Sequence, residues 1–354
     1  GQHIGLHPAV FVHQGELLKL PFDAPENMPD PAKALNAEKE LVALIDGELA
    51  NAKKLLASQD DVLGAIRDAR RAAQSLRGPD QVWGFAPSLW RRLVPGGLPE
   101  GVDDFAGVSG PGGVAPATQR SVWLWAAGNA WEKVWAAGMA ADAHLGPVST
   151  QRFELRCYTP FDNRDPTGFI DGTENPELDE ALQVSLYPDG GSTVLIQKWI
   201  HNLAAFNALP IAEQENVFGR TKADSVQLPD DVMPPTTHVS RNVVENDVGE
   251  ELHVFRRNTP FATLQDAGTM YIACTNDPAR VNLMLDRMFG VTDDGLIDDL
   301  TRFSAAVSGS YYYVPSLTAL TEAGGSLDAE SSDQPVEAAP SDDLGIGSLR
   351  GSSA

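Results

Sequence analysis

The chain has 354 residues, of which 42% are hydrophobic, and its 49 acidic and 26 basic side chains give a formal net charge of −23. This length predicts two domains that each bury a core, and the negative charge makes nucleic acid and anionic membrane surfaces poor partners. The sequence has no apolar run of about 20 residues, no basic and apolar leader, and only Cys157 and Cys274 as cysteines, so we expect a cytoplasmic protein without a membrane span or a disulfide framework.

The first part of the chain alternates strand-like and helical patterns. Short runs of apolar and aromatic residues at 9–12 and 122–125 predict strands. Apolar side chains at helical spacing predict helices at 37–57 and 129–143. The many Gly and Pro residues at 94–117 predict connecting loops.

From about residue 152 the same kind of order begins again. Segments rich in β-branched and aromatic residues predict strands at 153–158, 193–200, 252–255 and 269–274. Helical spacing predicts helices at 211–218 and 279–289. We therefore predict two α+β units of similar design, each with a sheet covered by helices on one face.

Asp171 lies in the turn-rich segment Gly168-Phe-Ile-Asp171-Gly172-Thr-Glu-Asn-Pro176. Because Gly and Pro bend the backbone, we expect loop geometry, and not a helix face, to hold this acid. Such loops often carry function. An Asx turn in a surface loop explains the same residues, and on the residues alone both interpretations stay open.

His238 follows Pro234-Pro-Thr-Thr237 and has no second metal-type ligand near it in the sequence. This isolation argues against zinc, whereas a single axial imidazole is enough for haem. A structural histidine is the alternative. His201 and His253, near predicted strand ends, favour the structural interpretation more strongly.

Arg256 opens the segment Arg256-Arg-Asn258-Thr-Pro-Phe261 and carries a permanent positive charge. Opposite a haem iron, it could stabilise the negative charge that develops when a peroxide O–O bond breaks. A nearby Asp171 could transfer the peroxide proton. A surface ion pair is the alternative for Arg256.

Ordered motifs extend across the second half of the chain, at 158–176, 217–222, His238, 256–261, 268–272, 287–289 and 303–304. In these segments the sequence resembles the dye-decolourising peroxidases, and within them the bacterial B-type. The resemblance implies two ferredoxin-like α+β domains with antiparallel sheets covered by helices, at 1–150 and 151–324. It also implies one haem b per chain, held mainly by the second domain.

The implied activity is a haem-dependent reduction of hydrogen peroxide to water. Dyes, phenols or other one-electron donors would be oxidised through a high-valent iron-oxo intermediate. The resemblance implies a distal peroxide site made of Asp171, Arg256 and Asn258. The alternatives are a haem carrier or iron-supply protein that uses the same pocket, and a non-catalytic cargo protein.

The haem itself would be held by a second group of residues. The resemblance implies His238 as the proximal iron ligand, Arg220 beside the haem propionates, and Phe261 among the cofactor-binding residues. Asp298 aligns with an acid that accepts a hydrogen bond from the proximal imidazole, which would favour high-valent iron. Asp299 is adjacent and is the alternative.

The C-terminal tail differs in composition from the rest of the chain. Residues 325–343 are rich in Asp, Glu, Ser, Ala and Pro, which predicts a disordered linker. Leu344, Ile346 and Leu349 then reappear among glycines, which indicates a docking peptide or chance apolar content. Segment 344–354 resembles the cargo-loading peptide of encapsulin shells. This implies packaging inside a nanocompartment in a bacterial cytoplasm, and the family resemblance also implies a homo-oligomer.

Several aromatic residues could carry electrons from donors too bulky to enter a buried pocket. The candidates are Trp123, Trp125, Trp199 and the run Tyr311-Tyr-Tyr313. Ordinary packing in a core or a sheet is the interpretation that we favour for them. We assign no electron route.

Overall fold

The structure is a computed structural model that describes residues 57–76, 79–160, 162–173, 175–246 and 248–324. The strand predicted at 9–12, the predicted helix at 37–57 except for its last residue, and the tail from residue 325 lie outside these ranges. In the described ranges, no helix has both the length and the apolar character that crossing a membrane requires.

Helices and strands alternate along the described chain. The helices are α1 (Gln59–Ser75), α2 (Pro87–Leu93), α3 (Trp131–Leu145), α4 (Leu178–Ser185), α5 (Leu203–Asn207), α6 (Ile211–Phe218), α7 (His238–Asn242), α8 (Pro278–Phe289) and α9 (Leu317–Gly324). The strands are β1 (Asp80–Phe85), β2 (Val108–Gly110), β3 (Gly113–Ala115), β4 (Val122–Ala127), β5 (Ser192–His201), β6 (Phe255–Ala262), β7 (Ala267–Thr275), β8 (Ser304–Ala306) and β9 (Ser310–Val314). A 3-10 turn, Asp299–Arg302, precedes β8.

Strand β5 is central to a seven-stranded sheet of order β4-β1-β9-β5-β7-β6, in which β8 also pairs with β5. The pairings of β5 with β7, β8 and β9, and of β6 with β7, are antiparallel. Nearly all of β5 is buried, which explains its β-branched and aromatic composition. The prediction of an α+β fold with antiparallel sheets and helices is confirmed.

The two faces of this sheet carry different cores, because neighbouring residues of a strand point to opposite sides. On one face, Leu195, Ala273 and Tyr311 share a core with Val281 and Leu285 of α8. On the other face the core contains Val194, Ile196, Met270, Ile272 and Tyr312. The face shared with α8 is the one that carries the site described below.

The aromatic candidates for electron transfer mostly have ordinary packing roles. Tyr311, Tyr312 and Tyr313 are buried in β9. Trp123 stacks on Trp125 at 6.5 Å between ring centroids and on Tyr312 at 5.8 Å. These contacts support the packing interpretation.

Two compact units divide the chain. The smaller comprises Gly1–Gln81, Ala126–Arg152 and Gly324–Ala354, and the larger comprises Val82–Trp125 and Phe153–Ala323. In the smaller unit α1 packs against α3, and α1 begins with a capping box in which Ser58 and Asp61 satisfy each other's backbone N–H groups. The domain boundaries predicted at 150 and 324 stay a prediction.

The strongest sequence patterns correspond to observed elements. Strands predicted at 122–125, 193–200 and 269–274 lie within β4, β5 and β7. Helices predicted at 129–143, 211–218 and 279–289 correspond to α3, α6 and α8. Long or strongly patterned segments are those for which periodicity is most informative.

Two predicted strands are wrong. Residues 153–158 form no strand: the Tyr158 N–H donates to Pro260 O at 2.9 Å, but Pro260 has no N–H with which to return a bond. The strand predicted at 252–255 instead begins at Phe255 and runs to Ala262. Leu252 donates its N–H to Val244 O at 2.8 Å, so this part of the backbone pairs with the preceding loop.

Candidate functional site

A cavity opens in the larger unit, on the sheet face that packs against α8. Strands β5, β6 and β7, helices α6, α7 and α8, and the loop that carries Asp171 all contribute to its walls. The empty space, including its mouth, is about 1200 Å³. Its walls are mainly apolar and aromatic, and they include Phe169, Trp199, Phe218, Val239, Met288 and Leu300.

His238 is the first residue of the short helix α7 and lines this cavity. Thr237 caps the helix, because its hydroxyl accepts the Ser240 N–H at 3.1 Å. The imidazole Nδ1 lies 2.7 Å from Asp298 Oδ2. Since this contact engages Nδ1, Nε2 is the ring nitrogen left for a ligand.

Asp298, and not Asp299, is the acid next to His238. Asp298 is fully buried, and its Oδ1 accepts the Leu300 N–H at 2.8 Å. Asp299 turns elsewhere, and its Oδ2 accepts the Thr236 hydroxyl at 2.6 Å. The structure thus resolves the choice between two adjacent acids that the sequence left open.

Asn242 belongs to the same group, although sequence reasoning missed it. Its Nδ2 donates to His238 O at 2.9 Å and lies 3.4 Å from Asp298 Oδ2. The available signal was its position four residues after His238, since such residues share one face of a helix.

The Asp171 loop is a small hairpin. Arg164 and Ile170 form an antiparallel bridge, the Asp171 N–H donates to Asn163 O at 2.9 Å, and the Asp165 N–H donates to Phe169 O at 3.0 Å. Gly168 at the turn has a φ of +85°, a backbone conformation that strains any residue with a Cβ. The glycine is therefore required, as the loop interpretation predicted.

The two oxygens of Asp171 have different environments. Oδ1 accepts the Gly172 N–H at 2.7 Å and Asn258 Nδ2 at 3.2 Å. Oδ2 is buried and has no hydrogen-bond partner among the described residues. Burial raises the pKa of Asp171, against the hydrogen bonds from Asn258 and Gly172 and the positive charge of Arg256.

Arg256 and Asn258 both line the cavity from β6, where they lie two residues apart. Asn175 ties this strand to the Asp171 loop: its Oδ1 accepts the Arg256 N–H at 2.8 Å, and its Nδ2 donates to Arg256 O at 2.7 Å. The sequence places Asn175 near Asp171 but gives no sign of this pairing, because Arg256 lies 81 residues away.

Phe261, which the resemblance places among the cofactor-binding residues, is not among the residues that line the cavity. It lies an odd number of residues from both Arg256 and Asn258 on β6, so it points to the opposite face of the sheet. There it is buried, and Lys198 Nζ lies 4.8 Å from its ring centroid.

Arg220 lines the cavity from the segment that follows α6, as its predicted position near the cofactor requires. Its Nη1 donates to Ser225 O at 2.7 Å. This bond holds one edge of the guanidinium against the loop.

His201, interpreted from the sequence as structural, also lines the cavity. Its Nδ1 lies 2.8 Å from Ser304 Oγ, and its buried Nε2 has no partner within the described ranges. Burial lowers its pKa to about 4, so the ring is neutral at neutral pH. His253 lies between Glu180 and Glu251 and not on the cavity wall.

Asp165 is a second carboxyl group of the cavity that sequence reasoning missed. Its Oδ1 accepts the Thr167 N–H at 2.8 Å and also the Thr167 hydroxyl. Burial raises the pKa of Asp165 to about 6, and the charge of Asp171 acts in the same direction. Its place in the motif 161–165 was the available signal.

Comparison with known proteins adds to this geometry. Residues 162–319 match the model of the family described as Dyp-type peroxidase, C-terminal. A dye-decolorizing peroxidase of Mycobacterium tuberculosis is 33% identical over 308 residues, which cover 84% of this chain and 90% of that protein.

Solved structures agree with the sequence comparison. A variant of DypB from Rhodococcus jostii RHA1 in complex with heme is 32% identical, with a TM-score of 0.69 over 75% of this chain and 91% of that one. The encapsulated DyP-type peroxidase from Mycobacterium smegmatis is 31% identical, with a TM-score of 0.70 over 74% of this chain and 90% of that one. By sequence and by fold, this chain belongs to the dye-decolorizing peroxidase family.

Proposed function

We propose that the protein is a haem peroxidase that reduces hydrogen peroxide to water and oxidises dyes, phenols or other one-electron donors. The observation that carries this proposal is the content of one cavity. An imidazole held by a buried carboxylate lines the same apolar space as Asp171, whose Oδ2 has no partner among the described residues, and a strand that presents Arg256 and Asn258.

The residues present fit one haem b. His238 would bind the iron through Nε2, since Asp298 engages Nδ1. Apolar and aromatic walls suit a porphyrin, and Arg220 supplies a guanidinium for a propionate. When bound, haem supplies the redox chemistry by which peroxide is reduced.

Asp298 acts through His238. Its carboxylate accepts the Nδ1 proton at 2.7 Å, which fixes the tautomer and makes the ring a stronger donor towards a metal. Asn242 and the Leu300 N–H hold that carboxylate in place.

Asp171 moves the peroxide proton. In its ionised form, Oδ2 accepts a proton from one peroxide oxygen and returns it to the other. Asn258 donates to Oδ1 and so steadies the carboxylate. Arg256 stabilises the negative charge that develops as the O–O bond breaks.

An absorption spectrum of the purified, haem-supplemented protein tests this proposal. We expect a Soret band that changes rapidly on adding one equivalent of peroxide and returns on adding a one-electron donor. A protein without a Soret band would contradict the haem site. A Soret band that does not respond to peroxide would favour a haem carrier, which needs His238 but has no use for the acid at 171.

We also propose that the C-terminal peptide docks the enzyme inside an encapsulin shell. Leu344, Ile346 and Leu349, which lie outside the described residues, can occupy separate apolar pockets as an extended peptide. The similar peroxidase from M. smegmatis is an encapsulated protein. A homo-oligomeric core would present several such peptides at once and increase its avidity for the shell.

Co-expression with an encapsulin shell protein tests the docking peptide. Full-length protein should purify with assembled shells, and replacing the three aliphatic residues by Ala should release it. A matched variant with Ser348→Ala should stay with the shells. Both variants should retain haem, and equal loading of the two would contradict the proposal.

A further inference from the structure

Two carboxyl groups extend from the hairpin of residues 163–171 towards one cavity. In the antiparallel register set by the Arg164–Ile170 bridge, Asp165 lies opposite Phe169, and Asp171 is its diagonal neighbour on the same face. Diagonal neighbours on such a pair lie roughly 7 to 8 Å apart, and their Cβ atoms lie somewhat closer. Both acids line the cavity.

The surroundings of Asp165 allow both of its protonation states. Burial and, to a smaller extent, the charge of Asp171 favour the neutral acid, whereas the two hydrogen bonds from Thr167 favour the carboxylate. Lys222 is the nearby cation, and its charge interacts with that of Asp165.

Peroxide reduction requires protons from outside the substrate. The overall reaction is H2O2 + 2 H+ + 2 e− → 2 H2O. The first water takes both hydrogens that the peroxide already carries, so the second water requires both added protons. A donor that gives only electrons leaves the protein to supply them.

We propose that Asp165 is a proton reservoir that delivers a proton through Asp171 when the second water forms. This proposal rests on the peroxidase function proposed above. Asp165 loses its carboxyl proton, Asp171 accepts it and passes it into the cavity, and bulk water reprotonates Asp165. This cycle runs twice for each second water, once with each electron, so that two protons are delivered. Electrons come from the one-electron donor, so charge and atoms balance.

The pH dependence of the donor reaction follows from the protonation state in which Asp165 donates its proton. The neutral acid is the donor, so its contribution is present below the pKa of about 6 and is lost as the pH rises through that value. The kinetics have two phases: the peroxide phase, in which the enzyme reacts with peroxide, and the donor phase, in which the one-electron donor then reduces it. The peroxide phase uses ionised Asp171, so its rate has the opposite dependence on pH. The two phases therefore distinguish the two acids.

Rapid mixing of the haem-loaded enzyme tests the proposal, with ferrocyanide as a donor that carries no proton. Asp165→Asn keeps an oxygen for the Thr167 hydrogen bonds but holds no titratable proton. At pH 5 it should slow the donor phase on the order of 100-fold, the lower range for a positioned proton donor. The peroxide phase should change less than about twofold, and at pH 7.5 both phases should match those of the parent.

Asp162→Asn is the matched control, because this acid lies in the same loop but is exposed. It should leave both phases unchanged. If Asp165→Asn slows the peroxide phase as much as the donor phase, Asp165 merely supports the loop and the proposal is wrong. Unchanged kinetics at pH 5 would also contradict it.

Thr167→Val gives a second test that keeps the carboxyl group. Removing the Thr167 hydroxyl raises the pKa of Asp165, so the loss of the donor phase should move to higher pH. An unmoved profile would overturn the proposal even if Asp165→Asn failed to fold.

Infrared titration separates this proposal from the peroxidase function. A protonated-carboxyl band should titrate near pH 6 and be absent in Asp165→Asn. If that band is present but the parent shows no peroxide phase, the peroxidase function fails and the reservoir with it. If the peroxide phase is normal but the band is missing, only the reservoir fails.

Discussion

Two sets of polar residues line the cavity and use their hydrogen bonds differently. The imidazole wall is formed by His238 and Asn242, with the buried Asp298 bonded to both. His238 Nδ1 lies 2.7 Å from Asp298 Oδ2, and Asp298 Oδ1 accepts the Leu300 N–H at 2.8 Å, so Nε2 is the ring nitrogen that is left for a ligand. The carboxylate wall, formed by Asp171, Asn258 and Arg256, buries Asp171 Oδ2 and Asn258 Oδ1 without a partner in the described structure.

This difference indicates what each wall is for. A buried polar atom without a partner is costly, so the carboxylate wall suits an occupant that supplies hydrogen bonds and changes during a reaction. An imidazole whose Nδ1 is held by a buried carboxylate suits a ligand that must stay in one orientation. We therefore expect the imidazole wall to control cofactor retention and the carboxylate wall to control the rate with peroxide.

His238→Ala should have the largest effect, because it removes the proposed iron ligand while leaving the apolar walls intact. We expect loss of stoichiometric haem retention, measured by the Soret band after gel filtration. His253→Ala, which removes a histidine held by surface glutamates, is the control and should retain haem. If both variants retained haem equally, the imidazole wall would not control cofactor retention, and the comparison of the two walls would be wrong.

Asp171→Asn should retain haem but slow the peroxide phase by roughly 10²- to 10⁴-fold, the range of general acid–base catalysis. In the parent, the rate should rise with pH as Asp171 ionises, and its raised pKa moves this rise above the ordinary aspartate value of about 3.9. The substitution should abolish the rise. An unchanged pH profile would exclude Asp171 as the base.

Arg256→Ala should slow the same phase by roughly 10²- to 10³-fold, as the loss of a charge-stabilising group does. Unlike Asp171→Asn, it should keep the pH-dependent rise. The rise should move to higher pH, because the Arg256 charge lowers the pKa of Asp171. A pH profile identical to that of the parent would show that the two groups act independently.

Asp298→Asn should have a smaller effect, on the order of 10- to 100-fold on metal affinity or activity. An Asn keeps Oδ1 for the Leu300 N–H but cannot accept the His238 proton through its amide nitrogen. The haem reduction potential should rise, which potentiometry measures directly. Asp299→Asn is the control and should leave the potential unchanged.

Asn242→Ala should have the smallest effect. It removes a buried donor to His238 O and should cost about 1 to 3 kcal/mol of stability. Thermal unfolding of the haem-loaded protein measures this cost. The peroxide phase should remain near the parent rate, and a large loss of rate would give Asn242 a direct part in the chemistry.

Local sequence patterns predicted much of the sheet and helix framework. The β-branched run of β5 and the apolar face of α8 are strong signals, because burial and periodicity act over many consecutive residues. Strand β6 was misplaced, because its run of Arg, Arg and Asn and its Pro260 are untypical of a strand. The polar side chains there belong to the cavity.

The candidate site, like the fold, has features that the sequence determined and features that it did not. By itself, the sequence determined that an acid sits in a glycine-bent loop, that His238 stands apart from other metal-type ligands, and that an arginine opens a conspicuous polar run. Local chemistry and chain order are sufficient for such statements, because each concerns one short segment. The resemblance to a family then related these segments to one cofactor.

Only the tertiary structure decided which side chains meet. It selected Asp298 over Asp299, turned Phe261 away from the cavity, and brought Asp165 and His201 into its walls. A shift of one residue reverses the face of a strand, and the His238–Asp298 contact joins positions 60 residues apart. Local propensity cannot determine contacts of that kind, because they arise from the packing of the whole larger unit.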